Sequence, residues 1–148
     1  MNVFIFSFNF NPVSVKAADQ KIAQLNSELS TQKIIQKHCD SCRLCRKVIE
    51  DCKSAKDPKA YRTKHQAEYH LHDSLKKELQ NLGVTKIPSS DKIKKRIENL
   101  ESEQTASVRE KQGLQEKQKL LNTIQQNFNV LLDAPEMQPP LSEKENTL

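Results

Sequence analysis

Residues 16–57 contain neither glycine nor proline, and Gly113 is the only such residue between Pro88 and Pro135. A chain so poor in backbone punctuation is committed to long helices, because nothing within those stretches reverses it. The breaks that exist are concentrated at two places. Asp57-Pro58 reads as a helix start: an aspartate caps free N–H groups and proline fits the first turn. Gly83 followed by Pro88 reads as a stop and restart, with Ser89 or Ser90 as the next cap. The expected fold is therefore all-α, an elongated three-helix antiparallel, coiled-coil-like arrangement with helices at about 16–53, 58–82 and 90–132.

Apolar periodicity supports each segment. In the first, Ile22, Leu25, Leu29, Ile35, His38, Cys42, Cys45, Ile49 and Cys52 recur mostly at steps of three or four, which places them on one face. In the second, Leu71, Leu75, Leu79 and Leu82 do the same. In the third, positions 93, 97, 100, 104, 108, 111, 114, 118, 121, 125, 128 and 132 form a coiled-coil-like seam with polar interruptions in the middle. At 1.5 Å per residue that helix is roughly 60 Å long and outruns the second, so its far half needs the first helix or another copy.

The two ends differ from this helical body. Residues 1–15 carry four of the five phenylalanines, at alternate positions 4, 6, 8 and 10. They read as an altered start or fusion remnant ahead of the helical domain, or else as an apolar tab packed on the helices. Residues 133–148, rich in proline and glutamate, read as a disordered tail.

Composition narrows the functional classes. With no tryptophan and 35% hydrophobic residues, the chain suits narrow helical seams better than a layered enzyme core. No phosphate-binding glycine loop or serine-nucleophile motif occurs, and the chain reads as a non-enzyme without a cofactor. No apolar run is long enough to span a bilayer, and four cysteines without a secretory signal point to the reducing cytoplasm. The net charge of +5 is unevenly spread: residues 33–64 hold ten Lys or Arg against four acids. Arg43, Arg46, Lys47, Lys53, Lys56, Lys59, Arg62 and Lys64 flank the first turn-around and are the candidate nucleic-acid contacts.

His38, Cys39, Cys42 and Cys45 are the candidate metal ligands, since C-x2-C-x2-C with a nearby histidine is a spacing used for iron–sulfur clusters or zinc. On an unbroken helix, however, Cys42, Cys45 and Cys52 coincide with the apolar stripe, where free cysteine acts as a small hydrophobe. Packing is the preferred role. His70 and His72 lie two apart and diverge by about 200° on a helix, so they do not form a metal-binding pair.

Ala67-Glu68, Leu71-His72, Leu82-Gly83-Val84, Lys86 and Ile87-Pro88, with Asn127 and Leu131-Leu132 further on, resemble the C-terminal helical region of bacterial relaxases. These are the mobilisation nucleases of conjugative and integrative elements, particularly in Gram-positive hosts. The resemblance runs from about 17 to 132, and the family's upstream nuclease domain has no counterpart in these residues. It implies an accessory module of DNA mobilisation, contacting transfer-origin DNA, relaxosome proteins or the secretion coupling protein. The alternatives are a coiled-coil module that self-associates through its long third helix, and a cysteine-based zinc or redox regulator.

Overall fold

The computed structural model describes residues 12–133, and over that span the protein is all-α. Four helices follow one another: α1 Pro12–Lys53, α2 Pro58–Lys64, α3 Gln66–Asn81 and α4 Ser90–Asp133. The two long helices begin and end where the punctuation places them, apart from α1, which starts at Pro12 and so takes in residues assigned to the N-terminal segment. The expectations for residues 1–11 and 134–148 lie outside the described residues.

Both turn signals act as their chemistry requires. Asp57 accepts hydrogen bonds from the N–H groups of Lys59 and Ala60, with Pro58 in the first turn of α2. Gly83 adopts φ +82°, and around it Val84 N donates to Leu79 O at 2.8 Å while Gly83 N donates to Gln80 O at 3.0 Å. That pair of bonds is a Schellman stop, and it carries Val84 onto the core beside Leu79. Ser89 then caps α4 through its hydroxyl, which accepts from Lys92 N.

The expected single helix over 58–82 is divided at His65, whose φ of −108° and ψ of 26° leave the helical region. His65 N still donates to Tyr61 O and Tyr69 N to His65 O, so the division is a kink rather than a loop. The His65 ring is held at the kink, 4.4 Å from the Tyr61 ring and 3.2 Å from the Glu68 carboxylate.

α1 is the element against which all the others pack. α4 runs antiparallel to it, tied by Asp19–Lys111 at 2.5 Å, Lys33–Glu101 at 3.0 Å and the pairs Glu28–Arg96 and Asn26–Gln104. α3 lies along the C-terminal half of α1, and the backbones of α3 and α4 do not approach one another. Leu25, Leu29, Ile35, Cys39 and Cys42 of α1 meet Leu75 and Leu79 of α3 and Ile93, Ile97 and Leu100 of α4 in one core.

The seams are shifted from the expected ones in three places. On α4 the seam passes through buried Ser107, not Val108, because strict three–four alternation from Leu100 reaches Gln104 and then Ser107. On α1, Cys39 rather than His38 is fully enclosed, while His38 sits at the edge and pairs with Glu78 of α3 at 3.1 Å. On α3, Leu71 and Leu82 are exposed, and the packed face runs through half-buried His72 to Leu75 and Leu79.

Leu100 has 1% of its surface exposed, so Leu100→Ala should destabilise the fold by about 2–5 kcal/mol in a chemical denaturation experiment. The Ser107 hydroxyl is buried without a hydrogen-bond partner. Ser107→Ala should therefore leave stability unchanged or raise it, by about 1 kcal/mol at most.

Candidate nucleic-acid interface

The basic turn-around is built by the end of α1, the capped start of α2 and the kink. Cys52 is buried under it and its thiol donates to Pro58 O at 3.5 Å, which holds the turn closed. Around this anchor Lys53, Lys56, Lys59, Arg62 and Lys64 all project from the surface. Lys47 is exposed one and a half turns back along α1.

The eight candidate cations do not stand alike. Arg43 is half-buried and serves the fold: its guanidinium donates to Pro88 O at 2.5 Å and to Asp40 at 2.6 Å, fastening the α3–α4 loop to α1. Arg46 pairs with Glu50 at 3.0 Å along its own helix. The Arg62 guanidinium carbon lies over the Tyr69 ring, 5.0 Å from its centroid, at the surface. Lys47, Lys53, Lys56, Lys59 and Lys64 form no ion pair among the described residues. Several neighbouring acids are engaged: Asp57 caps α2, Glu50 meets Arg46, and the hydrogen bond from His65 holds the Glu68 carboxyl below its ordinary range.

Two depressions mark this end of the molecule. Lys59, Arg62, Thr63 and Gln66 line one of about 400 Å³ on α2. Arg46, Ile49, Glu50, Lys53, His72, Lys76 and Ile87 line another of about 370 Å³, between α1 and α3. Lys76 therefore joins Arg46 and Lys53 in one cleft, although it lies outside the basic run 33–64. No spacing in the chain signals this; it follows from α3 folding back along α1.

The candidate metal ligands are distributed otherwise. Cys39 and Cys42 are each 0% exposed and Cys45 is buried beside them, whereas His38 is drawn away toward Glu78. Among the described residues no three His, Cys, Asp or Glu side chains gather closely enough to hold a metal ion. Burial pushes the Cys39 and Cys42 thiols above their ordinary pKa, so the thiolate that binds metals or reacts with disulfides is disfavoured. Where α1 packs against helices on two sides, small side chains let those helices come close.

The other histidines and the tyrosines sit as follows. His70 lies exposed with Gln66 within 3.4 Å, and His72 faces the α1–α3 cleft. Desolvation, aided by Asp51, raises the Tyr61 hydroxyl, and a hydrogen bond with Cys52 does the same for Tyr69. Neither phenol is poised to ionise as a nucleophile. Among the described residues no helix is long and apolar enough to cross a membrane. Comparison with known protein families, curated proteins and solved structures finds no match to this chain.

The buried thiols should resist a water-soluble disulfide reagent in the native protein and react fully on unfolding. Replacing Cys39 and Cys42 together with alanine should cost about 1–3 kcal/mol of stability, read from the denaturation midpoint.

Proposed function

We propose that the chain is a non-catalytic helical accessory module that holds nucleic-acid backbone at its basic end, in the manner implied for the C-terminal region of a relaxase. The observation that carries this reading is the group of exposed lysines around the α1–α2 turn, Lys53, Lys56, Lys59 and Lys64, which have no ion pair among the described residues, with Arg62 beside them over the Tyr69 ring. Exposed cations gathered at a helix turn can meet phosphates without reading bases, so the contact positions a duplex rather than selecting its sequence. Arg62 adds a planar donor set of the kind suited to a phosphate.

The relaxase-like punctuation fits a supporting role. Leu82-Gly83-Val84 closes α3, Ile87 lines the α1–α3 cleft, and Arg43 secures Pro88. These residues stiffen the scaffold that presents the basic end. In a mobilisation complex, relaxosome proteins or the coupling protein would meet the rest of the helical surface.

The purified protein should bind mixed-sequence duplex DNA at low salt, with affinity falling steeply as salt rises. Lys53→Glu, Lys56→Glu and Lys59→Glu in one chain should remove measurable retention while circular dichroism stays unchanged. Each lysine that meets a phosphate should contribute about one unit to the slope of log affinity against log salt. Absence of binding in the parent protein, or binding that survives the triple reversal, overturns the reading.

A further inference from the structure

The cleft between α1 and α3 is built by three elements. On α1, Arg46 and Lys53 stand two turns apart and within about 20° of one another around the helix, with Ile49 and Glu50 between them. His72 and Lys76, four apart on one face of α3, line the opposite side, and Ile87 comes in from the α3–α4 loop. Its volume of about 370 Å³ falls within the range of small-molecule sites, about 300–1,000 Å³.

The lining divides by depth. Ile49, His72 and Ile87 are partly buried and form the floor, whereas Arg46, Glu50, Lys53 and Lys76 are exposed at the rim. Three cations share the cleft with one carboxylate, and that carboxylate, Glu50, is already engaged by Arg46 at 3.0 Å. Lys53 and Lys76 have no ion pair among the described residues. His72 keeps 15% of its side-chain surface exposed and has the Asp73 carboxylate 3.7 Å from Nδ1. An imidazole carries at least one N–H in either protonation state, so it can donate to an anion from the floor.

A rim of this charge suits a dianion better than the singly charged diester of a nucleic-acid backbone. A phosphate monoester carries about −1.5 to −2 charge at pH 7 and three strong acceptor oxygens, which a guanidinium and two ammonium groups can share. The two isoleucines call for something apolar beside that phosphate, since a bare inorganic ion would leave them facing water.

We infer that the α1–α3 cleft binds a phosphate monoester joined to an apolar or aromatic group, the phosphate held by Arg46, Lys53, Lys76 and His72 and the group lying against Ile49 and Ile87. A free nucleoside 5′-monophosphate and a single strand ending in a 5′-phosphate both present that chemistry. Lys53 is shared with the basic turn, but the ligand is not a duplex, and the inference stands without the nucleic-acid reading above.

The test is a titration of the full chain with phenyl phosphate, followed by heteronuclear NMR. The amide signals of Ile49, His72, Lys76 and Ile87 should move together and saturate. Inorganic phosphate should bind about tenfold more weakly, because it leaves the isoleucines uncovered. Lys76→Gln should weaken phenyl phosphate by about fivefold, and Glu50→Gln, which removes the competing carboxylate, should strengthen it by about threefold. Lys77→Gln removes an equal charge from an exposed side chain outside the cleft and should change nothing. Displacement of phenyl phosphate by a nucleoside 5′-monophosphate would assign the site to the free nucleotide. Displacement only by a 5′-phosphorylated single strand, and not by its 5′-hydroxyl counterpart, would assign it to a strand end. Shifts that never saturate or that scatter over the surface lysines overturn the inference, as does equal weakening by Lys76→Gln and Lys77→Gln, or equal affinity for inorganic phosphate. Phenyl phosphate carries no strand, so each of these readings is separate from whether the protein retains duplex DNA.

Discussion

Burial in this protein passes through one helix. α3 and α4 each pack on α1 and their backbones do not approach one another, so the stripe of α1 from Leu25 to Cys52 is the surface on which the whole core condenses. Near Cys39 and Cys42 that stripe has helices on two sides, and the side chains there must be small, apolar and fully enclosed. Cysteine satisfies all three conditions. A row of thiols that looks like a ligand set in one dimension lies buried along a packing seam.

The connection between α3 and α4 depends on that seam in turn. A glycine at positive φ ends α3, Val84 returns to the core, and Arg43 reaches from α1 to the carbonyl of Pro88. A charged hydrogen bond at a half-buried site holds better than a neutral one, and here it fixes where α4 departs. The interhelical pairs Lys33–Glu101 and Asp19–Lys111 join exposed or half-exposed groups, and such pairs contribute little energy. What they define is direction and register.

Punctuation was the legible part of this fold. Asp57-Pro58, Gly83 and Ser89 each announce a backbone geometry that only a few residues favour, and each does what its chemistry implies. The kink at His65 was not legible, since neither glycine nor proline marks it and its partners Tyr61 and Glu68 belong to ordinary helical sequence. Choosing seam positions by hydrophobicity also misled: Val108 is apolar but faces out, and Ser107 is polar but holds the register. The candidate site was legible as a charge excess and illegible in its division of labour. Nothing in the chain separates Arg43, spent on a loop carbonyl, from Lys56 at the surface, or announces that Lys76 joins Arg46 and Lys53 in one cleft.

Charge and apolarity are segregated along the length of the molecule, and this follows from how far each helix runs. α1 needs α3 only along its C-terminal half, so short α2 and α3 fold back there and gather the lysines at one end. α4 runs the other way past the described start of α1, so its leucines accumulate at the opposite end with only Lys119 and Asp133 to punctuate them. Had α4 stopped near Gln118, its seam would have been matched by α1 and the apolar surface would be small. The extra four turns carry 15 residues of helix that intramolecular packing on the described part of α1 does not cover. Leu120, Leu131 and Leu132 are exposed along it, so on the described residues the seam of α4 ends where α1 ends rather than where its own apolar residues do.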